Sequence, residues 1–350
     1  MSFFLHLQRI EDRDKPMKKG EGVILGFKCR LETPFHSTEK RYKNLLKCAP
    51  YIFGSALRGE LLSDMIIKNC KEEKITSLSF LEEEAKVLEY HSKCELSCAI
   101  KKVLCENRWN IIVSFGKFET LRPRSITRIA LSRDSRTSSE GTIINIEQIE
   151  AGCNFSFEVV LHNDNEIIDE VKSSFENIGQ YLGIGRYKNV GMGRFSIKDI
   201  VEKKVKDVMD EKIAQFGTSG RKYCLVFTTP FLLHHTNGPL DLDQNRFALL
   251  FSQMLLNRSK ELSEFFDLKL EVKHIPIECI RTYIIPDYIS RYSLEESKKK
   301  NRLVAKAGSS FEVYFQNSND SLTVQLVLCS LFGMGEWADV GFGRFSVETG

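Results

Sequence analysis

The sequence predicts an α+β protein made of two similar units in tandem. A glycine-rich segment occurs twice, at residues 183–197 and 333–347, with four glycines, a valine and the run Gly-Arg-Phe-Ser in the same register. Each copy follows a segment with helical periodicity and precedes a short strand pattern. Such a repeat indicates duplicated structural units. We therefore expect each half of the 350 residues to bury its own core.

Two pairs of predicted strands also match between the halves. Residues 23–32 and 223–228 have strand patterns that run into the sequence Thr-Pro-Phe. Residues 154–161 and 310–315 are strand patterns that follow an Ala-Gly pair. Each of the latter strands ends in a turn rich in Asn, Asp and Ser.

Helical patterns complete the predicted units. Residues 167–182 and 322–332 have helical periodicity and lead into the glycine-rich segments, and 244–266 supplies an earlier helix in the second half. A closing strand is predicted at 195–200 and at 345–347. This order is typical of a ferredoxin-like βαββαβ unit, the RRM-like fold, so two tandem ferredoxin-like units are expected.

The boundary between the units is predicted in a charged segment. Residues 201–220 combine a charged, helix-like stretch with the linker sequence Gly-Thr-Ser-Gly. We therefore expect an N-terminal domain at 1–200, which includes a cysteine cluster and a basic insertion, and a C-terminal domain at 221–350.

Composition indicates an ordinary globular protein. The chain is 42% hydrophobic and 28% charged, with a formal net charge of +3, so a polyanion-binding surface would have to be local. No apolar run reaches membrane-spanning length, and residues 1–10 lack the apolar core of a signal peptide. Together with ten cysteines, which we expect to be reduced thiols, this predicts a cytoplasmic protein without a membrane partner.

The glycine-rich segments are candidate anion sites. Glycines permit positive φ and bring main-chain N–H groups close to a ligand, and such groups suit a phosphate. Tyr187 and Trp337 could stack on a base, and Arg194 and Arg344 follow the last glycine of each copy. The alternative is a tight turn that leads into an edge strand, with the glycines needed only for geometry.

A strand-to-helix turn at 51–62 is a second candidate. Ser55 is a possible N-cap, and Arg58 lies in the first helical turn, where the helix dipole favours anions. The alternative is an ordinary capped helix with a solvated arginine.

A basic stretch at 117–136 alternates cations with aliphatic residues and includes Pro123. This pattern favours an extended arm or hairpin, and its guanidinium groups suit RNA phosphates. A solvated surface loop is the alternative.

Three cysteines, Cys94, Cys98 and Cys105, form a local cluster. With Cys70 or His91 as a fourth ligand they could hold a structural zinc ion. The spacing differs from a CxxC knuckle, so semi-buried thiols near one helix are an equal alternative.

Several ordered motifs resemble those of the CRISPR-associated RAMP superfamily. Residues 54–59 are similar to its Gly-Ser-x-Leu-[Arg/Lys]-Gly element, and 127–141 to its segment with repeated Thr and Arg before a glycine. An Ala-Gly strand and a glycine-rich loop follow, as in that superfamily. The resemblance spans about 23–200 and resumes from 304, and it is most like the larger two-unit RAMP subunits of type III-D complexes.

The resemblance implies a guide-RNA (crRNA)-binding subunit of a type III CRISPR interference complex, with other effector subunits as partners and target RNA as an indirect one. On this interpretation the subunit has no catalytic residue. The residues expected to contact RNA come from the turn, the basic stretch and the two glycine-rich segments: Ser55, Arg58, Lys117, Arg122, Arg124, Arg128, Arg133, Arg136, Gly183, Gly185, Arg186, Tyr187, Lys188, Gly191, Gly193, Arg194, Gly341, Gly343 and Arg344.

Two enzymatic alternatives remain at this point. One is a metal-independent guide-processing endoribonuclease: such enzymes of the same superfamily often place a His after the first strand, and His36 holds that position as a possible general base. Backbone subunits that cleave target RNA with a metal place an acidic residue in the same region. Here Glu39 is the only acidic residue between Phe35 and Gly54, and this departure favours the non-catalytic interpretation.

Overall fold

A computed structural model describes residues 21–69, 111–131, 138–215, 222–235, 238–239, 244–268, 272–293, 298–316 and 320–349. These residues form a mixed α+β fold, which confirms the predicted class. Their α-helices are α1 (Gly54–Asn69), α2 (Asn165–Asn177), α3 (Val205–Gln215), α4 (Gln244–Phe265) and α5 (Asp320–Phe332).

The strands divide between the two halves of the chain. Those of the first half are β1 (Gly22–Leu31), β2 (Thr38–Tyr42), β3 (Leu45–Cys48), β4 (Tyr51–Ile52), β5 (Ile112–Val113), β6 (Gly116–Phe118), β7 (Pro123–Leu131), β8 (Ser138–Ile149), β9 (Asn154–His162) and β10 (Phe195–Lys204). Those of the second half are β11 (Lys222–Phe227), β12 (Phe231–Leu232), β13 (His234–His235), β14 (Gly238–Pro239), β15 (Ile277–Tyr283), β16 (Pro286–Ser293), β17 (Lys298–Ala305), β18 (Ser310–Phe315) and β19 (Phe345–Thr349).

The main sheet of the first half is antiparallel and has the order β10-β1-β9-β6-β4, with β5 also paired to β9. Helices α1 and α2 cover one face. Side chains alternate between the two faces along β1 and β9, so Phe27 and Phe157 both point to this face. Their rings stack there with centres 4.8 Å apart. Phe175 of α2 packs on both rings, so the core of the first half lies between this face and its two helices.

The main sheet of the second half repeats this arrangement. Its order is β19-β11-β18-β15, again antiparallel. In both sheets the closing strand lies beside the first strand, and the strand that follows the Ala-Gly pair lies on its other side. Phe251 of α4 and Leu326 of α5 pack with Phe311 in the second core.

The helices of the second half lie between the two sheets. On one side α5 contributes Leu326 to the second core. On the other side its Leu328 and Phe332 pack with Ile24 and Val160, on the face of the first sheet opposite its own helices. This position explains why α5 is apolar all round rather than amphipathic.

The predicted linker is largely regular structure. Residues 201–204 continue β10, and the following residues form α3. Val205 and Met209 of α3 are buried in the cluster between the two sheets. The sequence Gly-Thr-Ser-Gly at 217–220 lies outside the described residues.

Each half also carries a β-hairpin just before its Ala-Gly pair. The first hairpin, β7–β8, belongs to a sheet of order β2-β3-β8-β7, and the second hairpin, β16–β17, to a sheet of order β12-β17-β16. Both are anchored by the Phe of Thr-Pro-Phe: Phe35 bridges to Ile149, and Phe231 pairs with Ala305. Among the described helices, none is both long and apolar enough to cross a membrane.

Candidate nucleic-acid interface

The two glycine-rich loops, residues 183–194 (the first loop) and 333–344 (the second loop), have the same backbone shape. Tyr187 has φ 65° and ψ 22°, and Trp337 at the equivalent position has φ 63° and ψ 19°. This left-handed conformation is uncommon for a bulky side chain and often marks a functional or tightly constrained position. A short 3-10 turn follows in each loop and ends at a glycine with φ 84° (Gly191) or 88° (Gly341).

The same hydrogen bonds hold both loops against the strand ends. The N–H of Gly193 donates to the Pro34 carbonyl at 2.8 Å, and the N–H of Gly343 donates to Pro230 at 2.9 Å. The prolines belong to the two Thr-Pro-Phe sequences. The paired motifs of each half therefore meet in space and fix the loop to the end of the first strand.

Most main-chain N–H groups of the first loop are used inside the protein. For example, the N–H of Ile184 donates to Gly193 and that of Arg186 to His36, at 3.0 and 2.8 Å. Within the described residues, the loop amides that have no acceptor are those of Gly185, Tyr187, Lys188 and Asn189. Amides available to a phosphate are thus confined to the exposed tip and do not extend along the whole loop.

The second loop is buried against the first half. Its Val340 is 3% exposed, whereas Val190 of the first loop is 59% exposed. A Cβ built on Gly54 would lie 2.4 Å from the Val340 carbonyl oxygen, and one built on Gly341 would lie 2.7 Å from the nitrogen of Phe115. Both glycines are required by this close approach.

Ion pairs reinforce the same junction. Arg58 donates to Asp339 at 2.5 Å, and Arg344 donates to Glu158 at 2.6 Å. Arg58 and Arg344, two of the residues predicted to contact RNA, therefore join the halves. Together with the buried Gly341 and Gly343, this arrangement favours a docking role for the second loop.

The first loop instead has an aromatic ring close to two cations. The guanidinium carbon of Arg128, on the first hairpin, lies 4.9 Å from the centre of the Tyr187 ring, and that of Arg186 lies 5.2 Å from it. The loop tip at 188–190 is exposed, as is Arg194. Predicted residues from the basic stretch and from the first loop are therefore brought together.

His36 lies beneath this cluster as a buried structural residue. It is 0% exposed, and its ring centre is 5.7 Å from that of Tyr187. Its Nδ1 is 2.6 Å from the Glu147 carbonyl oxygen, which can only accept, so Nδ1 carries the proton. Its Nε2 then accepts from the Thr38 hydroxyl at 2.8 Å, and Arg186 donates to the same hydroxyl at 3.1 Å.

This environment keeps His36 neutral. Burial lowers the pKa of His36, and the positive charge of Arg186 lowers it further, against the opposing effect of the Glu147 carbonyl. A general base must reach the proton it removes. Both ring nitrogens of His36 are in hydrogen bonds, its side chain is buried, and it contacts the Thr38 hydroxyl that also accepts from Arg186. Thr38 was not a predicted site residue.

The basic stretch forms an exposed edge strand. In β7, Arg124 and Arg128 alternate to the same face, and Arg122 precedes the strand on that face. Nη1 of Arg124 lies 3.6 Å from Oε1 of Glu150. Because both side chains are exposed, this ion pair contributes little to stability. Lys117 lies on the neighbouring strand β6 and is also exposed. The remaining members, Arg133 and Arg136, lie outside the described residues.

The predicted N-cap is wrong. Helix α1 begins at Gly54, and the N–H groups of Ala56 and Leu57 donate to the carbonyl of Phe53. Ser55 therefore lies inside the first turn, because the chain turns at the glycine that the second loop requires.

The predicted zinc ligands Cys70, His91, Cys94, Cys98 and Cys105 lie outside the described residues. In the part of the chain that is described, no three His, Cys, Asp or Glu side chains are grouped as metal ligands. Glu39 is the acidic residue considered for metal-dependent cleavage. Its Oε2 lies 3.9 Å from Nζ of Lys47.

Part of the chain matches a known protein family. The RAMP superfamily matches residues 32–196. A chain of a solved structure, "Cryo-EM structure of the Type III-B Cmr-beta bound to cognate target RNA", is 14% identical with a TM-score of 0.36, and the match covers 58% of this protein and 66% of that chain. The search of curated proteins found no match. The matched residues 32–196 contain the first loop, the first hairpin and the Gly-Ser-Ala-Leu-Arg-Gly turn.

Proposed function

We propose that this protein is a guide-RNA (crRNA)-binding, non-catalytic subunit of a type III CRISPR interference complex in the cytoplasm. Its partners on this proposal are crRNA and other effector subunits, and target RNA is reached through the guide. The match of residues 32–196 to the RAMP superfamily supports the class of complex. The observation that supports RNA binding is the half-buried Tyr187 beside the exposed loop tip, with the guanidinium carbons of Arg128 and Arg186 4.9 and 5.2 Å from its ring centre.

Tyr187, Arg128 and Arg186, together called the Tyr187 cluster, suit a single-stranded nucleic acid. Stacking of a base on an aromatic ring contributes about 1–3 kcal/mol and tolerates any base. The left-handed backbone of Tyr187 sets the direction of its ring, and Thr38 and His36 fix Arg186 beside it. The ring and its cations are therefore arranged before RNA arrives, which lowers the entropy cost of binding.

Phosphate contacts would come from the exposed cations around the ring. Arg122, Arg124 and Arg128 follow one face of the first hairpin, while Lys188 and Arg194 lie on the first loop. Their charge is local, in agreement with a net charge of only +3 for the chain. Counterion release from a few phosphates is enough to give affinity that depends on salt.

We further propose that the chain consists of two tandem ferredoxin-like units. The shared strand order of the two main sheets and the equivalent loops support this. The units correspond to the predicted domains at 1–200 and 221–350, with 201–220 between them. In the second unit the loop serves as a docking element, because it packs on Gly54 and Phe115 and its Arg344 pairs with Glu158 of the first unit.

A non-catalytic role is favoured by the state of the candidate catalytic groups. His36 is buried and neutral, with both ring nitrogens in hydrogen bonds. This arrangement supports positioning of Arg186 rather than proton transfer.

Binding of RNA to the full chain tests the proposal. Fluorescence anisotropy should compare a guide that carries the repeat-derived 5′ handle with a scrambled RNA at physiological salt. We expect Tyr187→Ala to weaken guide binding about tenfold, since one stacked base contributes about 1–3 kcal/mol. Tyr187→Phe keeps the ring and should retain affinity. No effect of Tyr187→Ala would reject RNA binding at this loop. Equal binding of handle and scrambled RNA would reject selective recognition of crRNA by the chain.

A further inference from the structure

Strand β10 forms the outer edge of the first sheet. Within the described residues it pairs with β1 alone, so its other side has no neighbouring strand there. The strand is ten residues long. Proteins normally protect an edge of this kind with a bulge, with charged side chains or with a covering element, because its main-chain groups can pair with another chain. The free side of β10 is therefore suited to pairing with one more strand.

The pairing with β1 shows which residues of β10 face the free side. The N–H and C=O groups of Leu31 bond to the turn before β9, whereas the N–H of Glu32 donates to Arg194, just before β10. Because bonding alternates along an antiparallel strand, the even-numbered residues of β1 bond to β10. Their partners in the second part of β10 are Asp199, Val201 and Lys203. The residues that direct their N–H and C=O groups to the free side are therefore Ile200, Glu202 and Lys204.

A bulge interrupts only the first part of this edge. The register between β1 and β10 shifts between Lys28 and Cys29, which leaves Lys198 without a directly opposite residue. Such a bulge disrupts the ladder locally and hinders pairing with a further strand. The pairing is regular over Asp199–Lys204, which we call the free edge. These six residues present an uninterrupted template for a strand.

The surroundings of β10 favour a protein strand over a nucleic acid. An open groove of about 910 Å³ lies between β10 and the end of α2. The charged residues that line it are three carboxylates and two cations: Glu32, Glu176, Asp199, Arg194 and Lys198. This mixed lining, with an excess of carboxylates, repels a polyanion. An extended protein segment instead gains affinity from main-chain hydrogen bonds to a sheet edge.

The charges of the free edge are complementary to those of a second copy. The free edge carries two acids and two bases: Asp199, Glu202, Lys203 and Lys204. If two copies pair antiparallel with Val201 opposite the partner's Val201, Asp199 lies opposite the partner's Lys203. The two-fold symmetry of such a pair makes this contact twice. Opposite charges directly across a sheet stabilise the pairing.

Other registers are less favourable. A pair centred on Glu202 places two carboxylates opposite each other, and one centred on Lys203 does the same with two ammonium groups. A pair centred on Ile200 leaves Asp199 opposite the partner's Val201. Registers shifted by one residue set free main-chain groups against groups that are already bonded to β1. The register centred on Val201 is therefore the one that satisfies both the charges and the main chain.

The same register gives Lys203 an acidic partner. Lys203 is exposed, and within the described residues it has no ion-pair partner. Asp199 pairs with Lys28, with 2.9 Å between Oδ2 and Nζ. In the paired copies each Asp199 would lie between Lys28 and the partner's Lys203, so both lysines would contact a carboxylate.

We propose that two copies of this chain pair through their free edges, with Val201 on the two-fold axis, and so join their first sheets into one continuous sheet. The main-chain groups of Ile200 bond to those of the partner's Glu202, and symmetry repeats these bonds. This pairing does not depend on RNA binding at Tyr187.

Cysteine crosslinking of the full chain tests the register. Val201→Cys places two thiols across a non-hydrogen-bonded pair, where Cα atoms lie about 4.5 Å apart, within the range of a disulfide. The matched control, Lys203→Cys, changes an exposed residue two positions along. Its two copies are four residues apart along the paired strands, about 14 Å, which a disulfide cannot span. Nucleic acid is removed first, and the joined peptides are identified by mass spectrometry because the chain has ten other cysteines. We expect a disulfide between the two copies of position 201 and none between those of position 203.

Sedimentation measured over a range of concentrations tests the main-chain bonds. Glu202→Pro removes an N–H that faces the free side and leaves the ladder with β1 in place, and proline is tolerated at such edge positions. Two hydrogen bonds between the copies are lost, so we expect the Kd of the dimer to rise about tenfold. Glu202→Gln keeps the N–H and should dimerise as the parent does. Both variants lose the same exposed ion pair with Lys172.

Three outcomes would overturn the proposed pairing. A parent protein that stays monomeric at every concentration and forms no disulfide through position 201 rejects it. Equal crosslinking at positions 201 and 203 rejects the register. Dimers that form equally well with Glu202→Pro place the interface elsewhere. RNA binding is measured separately, and none of these outcomes changes the proposed function.

Discussion

Val190 and Val340 occupy equivalent positions in two loops of the same backbone conformation, yet Val190 is 59% exposed and Val340 is 3% exposed. The difference arises from what surrounds each loop and not from the loop itself. The second loop is packed on Gly54 and Phe115 of the first half, and the first loop is open. One structural element thus has two uses in the same chain, and matched substitutions in the two loops should have different effects.

Glycine-to-alanine substitutions should separate backbone strain from packing. Gly191→Ala places a Cβ in open space at φ 84°, so we expect a loss of about 1 kcal/mol in the free energy of unfolding. Gly341→Ala has the same strain at φ 88° and also collides with the Phe115 nitrogen at 2.7 Å. Overpacking should cost about 1–3 kcal/mol more. Urea unfolding measures both values, and equal losses would show that the second loop is not tightly docked.

Alanine substitution of the two equivalent arginines should separate folding from binding. Arg344→Ala breaks the ion pair with Glu158, and because Glu158 is 47% exposed we expect a loss of only about 1 kcal/mol in stability, with RNA affinity retained. Arg194→Ala should leave stability unchanged and reduce the salt slope of RNA binding by about 0.7. A double-mutant cycle with Glu158→Ala isolates the pair. If Arg344→Ala weakened RNA binding without any loss of stability, the second loop would be assigned to the surface that contacts RNA.

Protonation of His36 should make the fold sensitive to acid. Burial lowers the pKa of His36 below its usual 6.5, so as the pH falls through that value the unfolded chain takes up a proton that the folded protein resists. Stability should therefore fall between about pH 7.5 and about pH 5.5. His36→Asn should lose stability at neutral pH but show a smaller further loss on acidification. Thermal unfolding at both pH values measures this, and an identical pH dependence of the two proteins would place the titrating group elsewhere.

The sequence predicted the individual strands and helices well because their signals are local. Strand patterns that end at Thr-Pro-Phe, Ala-Gly pairs and glycine-rich loops each depend on a few adjacent residues, and predicted strand and helix bounds differ from the observed ones by only a few residues. The helix predicted at 244–266 is observed at Gln244–Phe265. An exception is 167–182, whose last turn is the separate π-helix Ile178–Leu182.

The relationship between the halves could not be predicted in this way. The contact of Arg58 with Asp339 joins residues far apart in the chain, and nothing near either residue indicates its partner. The same holds for Thr38, which becomes part of the site only because Arg186 folds onto it. A signal did exist in the apolar pattern of α5, since a helix without a polar face must be covered on all sides.

Photo-crosslinking of a single-stranded guide RNA to the full chain, followed by mass spectrometry of the joined peptides, locates the RNA directly. Crosslinks should fall on the peptide that contains Tyr187 and on peptides of the first hairpin that contain Arg124 or Arg128. They should be absent from the peptide that contains Trp337, which has the same loop conformation but packs at the junction between the halves. Crosslinks at Trp337 with none at Tyr187 would contradict the assignment of RNA binding to the first loop.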